Sequence, residues 1–159
     1  MSELRMRLAR VEDAAAITVL ARRVVRRWIM PHQPRAGVLA LEEAFSVPVI
    51  RARLLAGQRF HLAYVDGVLA GVAAVRDDCH VFQLFVGTRY QGQGIGRRLW
   101  ARLRRDCVRR AGTRVFTLNA ALGAVPVYLR LGFVRDPRPR RRAGPVVSMP
   151  MLYRVVERS

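Results

Sequence analysis

The sequence predicts an α+β (mixed α/β) domain, a mixed sheet of roughly six to seven strands flanked by about four helices. Three observations carry this. Apolar residues change from period two to period 3.6 and back several times along the chain. Asp66-Gly67 stands between two apolar runs, the strongest short signal for an antiparallel hairpin. Strand–helix–strand units then follow the hairpin. A chain of 159 residues with 52% hydrophobic content suits one domain spanning 1–159, and no internal repeat or linker divides it.

The elements follow in order. Leu4 to Leu8 reads as a first strand. Asp13 can cap a helix whose apolar stripe is Ile17, Leu20, Ala21, Val24 and Trp28, with Arg22, Arg23, Arg26 and Arg27 on its solvated face. Pro31 and Pro34 stop that helix and make a loop from Met30 to Gly37. A second helical region runs from about Val38 to Ala56, which Pro48 either kinks or divides by opening a new helix. Phe60 to Val65 and Val68 to Val75 are the hairpin strands, and His80 to Val86 is a third. A helix from Gly94 to Arg110 carries Ile95, Leu99, Leu103 and Cys107 on one stripe and ends at Gly112. Val115 to Asn119 is a strand and Ala124 to Leu131 a helix closed by Gly132. An arginine-rich loop, Arg135 to Arg142, leads to a last strand around Val146 to Tyr153.

Composition removes several chemistries. All 29 basic residues are arginine. Without lysine there is no Walker A loop, no Schiff base to pyridoxal phosphate and no kinase β3 lysine. The net charge of +18 attracts anions, which fits nucleic acid, a membrane surface, an acidic substrate, a phosphorylated cofactor or a compositional bias toward arginine. The longest apolar run, Val68 to Val75, is far short of the ~20 residues of a membrane helix, so no membrane partner is expected. Cys79 and Cys107 are too few for a disulfide framework and lack metal-ligand spacing; reduced thiols, a cytoplasmic location and no metal are the expectation.

The informative stretch is Leu84-Phe85-Val86-Gly87-Thr88-Arg89-Tyr90-Gln91-Gly92-Gln93-Gly94-Ile95-Gly96-Arg97. A buried strand enters three alternating glycines and then an amphipathic helix. Glycine lets the backbone approach a ligand closely, and a helix start offers unpaired N–H groups at the positive end of the dipole. Together these hold phosphate. A dinucleotide fingerprint fails, because its third glycine position is Arg97.

This stretch resembles the GNAT family of acetyl-CoA-dependent N-acetyltransferases, whose Q/R-x-x-G-x-G/A motif is matched by Gln91, Gly94 and Gly96, with Gly92 inside it. A second block is similar to the family's downstream segment: Leu118-Asn119-Ala120, Ala124 to Tyr128, and Leu131-Gly132-Phe133. The resemblance covers essentially the whole chain and implies the GNAT fold with acetyl-CoA as co-substrate. It implies that backbone groups of Leu84, Phe85 and Val86 pair with the pantetheine arm. The amides of Gln91, Gly92, Gln93, Gly94, Ile95 and Gly96 would hold the pyrophosphate, with Arg97 at the helix start and Asn119 beside the cofactor arm.

It also implies that Tyr128 protonates the departing thiolate, which suits a phenol of pKa near ~10 and a thiol near ~8.5. The acceptor amine must lose a proton, and His80 aligns with the glutamate base of the family's histone-modifying members. Trp28 and His32 fall where the family places its substrate lid, and His61 reads as structural. The implied reaction is direct attack of a primary amine on the acetyl carbonyl in a ternary complex, the amine belonging to a small molecule or a peptide N-terminus. Strand alternation sends Cys79 and His80 to opposite faces, against a cysteine-linked intermediate. Thr88 replaces a frequent proline, and Ala121 a frequent serine. A homodimer is common in the family. The alternative is a non-catalytic domain of the same fold that binds acetyl-CoA, nucleic acid or another polyanion, with Arg138, Arg140, Arg141 and Arg142 as its patch.

Overall fold

The computed structural model describes residues 2–138 and 144–156. Seven strands form one sheet in the order β1-β2-β3-β4-β5-β7-β6. They are β1 (Leu4–Leu8), β2 (Arg59–Val65), β3 (Val68–Arg76), β4 (His80–Val86), β5 (Val115–Ala120), β6 (Val134–Arg135) and β7 (Met149–Arg154). Five α-helices cover it: α1 (Ala14–Trp28), α2 (Arg35–Ala44), α3 (Val47–Leu55), α4 (Ile95–Ala111) and α5 (Val125–Leu131). All neighbouring strands are antiparallel except β4 and β5, which run parallel and are joined through α4.

The sheet separates two apolar layers. On one side Ile17, Val25, Phe45 and Ile50 from α1 to α3 pack on Phe60 and Leu62. On the other, Leu99, Trp100 and Leu103 of α4 pack on Phe116, Phe133 and Met151. Trp100 meets Phe116 edge-on at 5.1 Å and Phe133 at 4.8 Å, and each such side chain contributes about 1.5–3 kcal/mol by burial. Gly71 on β3 lets α4 come close: a Cβ there would stand 2.8 Å from Leu99 Cδ1 and 3.1 Å from the Phe85 carbonyl oxygen. Asp66 (φ 48°) and Gly67 (φ 80°) make the expected hairpin turn with positive φ at both positions.

Several local expectations need correction. Asp13 precedes α1, yet its carboxylate makes no cap bond to that helix. It accepts from both Arg7 guanidinium nitrogens, at 2.8 and 2.9 Å, and from the Arg10 N–H at 2.7 Å. Those hydrogen bonds hold it below the usual carboxylate range against its burial. Trp28, placed on the buried stripe, is exposed. The loop after α1 is shorter than predicted, since α2 already begins at Arg35. The second helical region is two helices, and Pro48 sits in the first turn of α3, where its missing N–H costs nothing. The last strand pairs only from Met149, and β6, which no pattern marked, joins its outer edge. Cys79 lies in the turn before β4, a turn made with positive φ at Asp77 and Asp78. Of the arginine-rich loop, Arg140, Arg141 and Arg142 lie outside the described residues.

Candidate active site

Strand β4 is paired with β3 along its whole length, Arg76 opposite His80 and Gly71 opposite Val86. Against β5 the pairing ends after two positions, His80 with Thr117 and Val81 with Leu118. Beyond that point the two strands part: the backbone groups of Phe85 point to β3, opposite Val72, and those of Leu84 and Val86 point outward with no strand partner on that side. Backbone N–H and C=O groups are rarely left without partners in a protein interior. This V-shaped opening faces the same end of the sheet as the glycine turn.

The turn is built for an anion. Gly92 (φ 77°) and Gly94 (φ 80°) take left-handed conformations that other residues resist. Gly96, inside α4, admits Val86, whose Cγ2 would lie 3.6 Å from a Cβ there. Gln91 folds its side chain back, its Nε2 donating to the Val86 carbonyl at 3.1 Å, which pins the turn to the end of β4. Helix α4 has no side-chain cap and no acidic residue in its first turn. Arg97 and Arg98 occupy that turn, both exposed. Cations at a helix N-terminus oppose the dipole by about 0.3–1 kcal/mol each, an arrangement that an anion resting there reverses.

His80 stands at the base of the opening, its Nδ1 2.8 Å from Thr117 Oγ1 on the neighbouring strand. The alternation of β4 is broken by a bulge between the Ala74–Gln83 and Val75–Val81 pairs. His80 pairs with Arg76 and Gln83 with Ala74, two positions apart on β3, so both face the α1–α3 side. Gln83 is 2% exposed, and both polar atoms of its amide are without a hydrogen-bond partner. The sequence reading passed over it, because a glutamine inside Val-Phe-Gln-Leu-Phe-Val looks like one outward-facing strand position. On β5 the same face carries Thr117 and Asn119, and Asn119 is exposed.

A bridge crosses that face. Gln33, between α1 and α2, accepts from the Val147 N–H at 2.8 Å and donates to the Val147 carbonyl at 2.8 Å. Gly37 is required beneath it: a Cβ would stand 2.9 Å from Gln33 Oε1 and 3.1 Å from the Pro145 carbonyl oxygen. Trp28 belongs to the same rim, its Nε1 donating to Thr88 Oγ1 at 3.2 Å. His32 is exposed in the short 3₁₀ turn Met30–His32. Tyr128 lies on the opposite, α4–α5 side, edge-on to Phe133 at 5.7 Å. Burial pushes its phenol up to about 12, so it stays protonated at neutral pH.

The domain pattern described as "Acetyltransferase (GNAT) domain" matches residues 30–154. This chain belongs to the GNAT acetyltransferase family. A search of curated proteins finds no match. Among solved structures, the chain is similar to a GCN5-related N-acetyltransferase from Rhodopseudomonas palustris, with TM-score 0.81, 22% identity and 98% of each chain covered. It is also similar to the PaiA N-acetyltransferase of Thermoplasma acidophilum, solved with coenzyme A, at TM-score 0.77 and 15% identity over 96% of this chain and 99% of that one. YncA of Salmonella typhimurium, solved with acetyl-CoA, gives 0.65 and 23% over 99% and 96%.

In this GNAT chain Leu84 to Val86 and Gln91 to Arg97 form one continuous edge and turn. His80 and Gln83 share the α1–α3 face, on which Trp28 at the end of α1 bonds Thr88 and Gln33 after it bonds Val147. Gln33 is the second residue the sequence reading missed, since nothing local announces a partner 114 residues away. Neither cysteine offers a thiolate here: Cys107 is buried, which pushes its thiol up to about 12, and Cys79 sits in a turn outside the opening. His61 is fully buried on β2, against α4.

Proposed function

We propose that this protein transfers the acetyl group of acetyl-CoA to a primary amine, of a small molecule or a peptide N-terminus, by direct attack in a ternary complex. The observation that carries the reading is the one-sided pairing of β4, fully laddered to β3 and open to β5 beyond Val81, leading straight into an uncapped helix start. An extended pantetheine arm has hydrogen-bonding amides of the kind a strand edge accepts. The six steps from His80 to Val86 span about 20 Å at 3.3 Å per residue, which sets the amine end of the opening apart from the phosphate end.

The cosubstrate supplies an activated acetyl carbonyl when bound. Outward N–H groups of β4 polarise that carbonyl, and the α4 amides with Arg97 hold the pyrophosphate. Holding both reactants in one cleft supplies most of the acceleration. His80 Nε2 takes the amine's proton from the α1–α3 side, its ring oriented by Thr117. Tyr128 gives its hydroxyl proton to the thiolate from the α5 side. Trp28, His32 and the Gln33 bridge border the acceptor, and the unsatisfied amide of Gln83 meets it with one donor and one acceptor group. The two free cysteines fit a cytoplasmic setting.

The test is thiol release from acetyl-CoA across polyamines, aminoglycosides, amino acids and N-terminal peptides, corrected for Cys79 and Cys107. Amine-dependent release with a matching acetylated product supports the reading. Tight CoA binding with no release against any amine would point to a non-catalytic domain of this fold.

A further inference from the structure

At the end of the sheet opposite the glycine turn, the C-terminal half of α4 borders an open groove of about 790 Å³. Five arginines line it, Arg59, Arg102, Arg104, Arg105 and Arg109, with Asp106 as the one carboxylate among the described residues. Asp106 is already saturated. Arg59 grips it through Nε at 2.7 Å and Nη2 at 3.1 Å, and Arg110 adds a third bond at 3.2 Å. The groove therefore keeps a large excess of positive charge, in a concave setting that focuses the field.

These cations are not loosely placed. Arg104 donates to the Tyr153 hydroxyl at 2.7 Å, and its guanidinium lies 5.5 Å from the Trp100 ring centre and 5.3 Å from that of Tyr153. Arg102 donates through Nε to His61 Nδ1 at 3.3 Å. Arginine has no acceptor to offer, so Nδ1 must be the bare nitrogen and Nε2 must carry the hydrogen. His61 borders the groove, and its Nε2–H is buried without a hydrogen-bond partner, Asp106 Oδ2 lying at 3.6 Å. Arg105 is exposed and has no hydrogen bond or ion pair among the described residues. Among the described residues, the lining side chains other than Asp106 offer N–H donors, the His61 Nδ1 being taken by Arg102, and arginine forks match phosphate oxygens in geometry.

We infer that this groove is a second anion site, which takes a multiply charged phosphate chain of the kind found in free polyphosphates, nucleotides or a nucleic-acid backbone. It is distinct from the glycine turn. Nine residues of helix separate Gly96 from Arg105, about 14 Å along the axis. It does not depend on acetyl transfer, and it gives part of the +18 charge a located purpose.

The experiment is calorimetric titration of the full chain with inorganic tripolyphosphate, with and without saturating CoA. Binding should persist when CoA is saturating. Arg105→Glu should weaken it about tenfold or more, the worth of a lost charge-assisted contact. Arg97→Glu should weaken CoA and leave tripolyphosphate within about twofold. Arg23→Glu, the same charge change on exposed α1, controls for the general field of the protein. A parallel titration with a short single-stranded oligonucleotide separates the sources: binding that Arg105→Glu also abolishes assigns a nucleic-acid backbone, and tripolyphosphate binding alone assigns a free polyphosphate. Absence of both, displacement of tripolyphosphate by CoA, or equal losses in Arg23→Glu and Arg105→Glu would overturn the inference. If CoA fails to bind while tripolyphosphate still does, the transferase reading falls and this one stands.

Discussion

Along its β3 edge, β4 is paired from His80 to Val86; along its β5 edge, pairing stops at Val81. Alternate residues of one extended strand face its two edges, so Phe85 is satisfied by β3 while Leu84 and Val86 face the side with no strand partner. The β3 edge is made locally, by a hairpin whose short turn, Asp77 to Cys79, has positive φ at Asp77 and Asp78. The β5 edge is reached through α4, and α4 is where the glycine turn sits. The contrast teaches that the stable half of the strand serves as a template which holds the open half in register for a ligand. Substitutions on the two sides should therefore fail differently.

The largest effect is expected at the turn. Gly94→Val forces a β-branched residue to φ 80° and should remove CoA binding by about 100-fold or more in calorimetry, with circular dichroism unchanged. Retained affinity would break the comparison, since the open edge would then not lead to the anion cradle. Next comes Tyr128→Phe. Loss of a positioned acid should lower turnover about 100-fold with CoA affinity unaltered. With its phenol pushed up to about 12, wild-type Tyr128 stays protonated below that pH, so it contributes no alkaline fall within a neutral assay range. An unaltered rate in the variant sinks the acid role.

His80→Ala sharpens the comparison at the point where the strands part. A base must be unprotonated to act, so the wild-type rate should fall on the acid side, and the variant should lose that limb along with about tenfold in rate. A superimposable pH profile clears His80. Gln33→Ala breaks both bonds to Val147 and should raise the acceptor KM several-fold, with CoA affinity unmoved. The smallest effect has the opposite sign. Gln83→Leu removes a buried amide with no partner, worth about 1–3 kcal/mol, and should raise Tm by several degrees while lowering acceptor kcat/KM. A drop in Tm would show that the amide is a structural group.

What local chemistry writes into a chain is legible in the sequence: the hairpin, the α4 stripe and the glycine turn, while Pro48 alone leaves open a kink or a new helix start. The sequence reading missed features that exist only between distant segments. Period two alone puts His80 and Gln83 on opposite faces, and the bulge beside Phe82 reverses that. The parting of β4 from β5 is an absence of backbone pairing, which no side chain records; only the resemblance to the GNAT family foretold it. Asp13 carries the right residue type for a cap, but Arg7 competes for its carboxylate and wins two charged hydrogen bonds. Trp28 fits the apolar stripe by spacing, yet it reaches past the end of α1 to Thr88.

The Val147 amide has a consequence for solution measurements. Residues 146–148 belong to no strand, and a half-buried N–H in such a stretch would ordinarily exchange with solvent fast. Its bond to Gln33 makes it a slow proton in a fast neighbourhood, so its exchange rate reports how often the bridge over the proposed acceptor side comes apart. Deuterium uptake at that one position, followed as each candidate amine is added, reads acceptor engagement without any chemistry taking place.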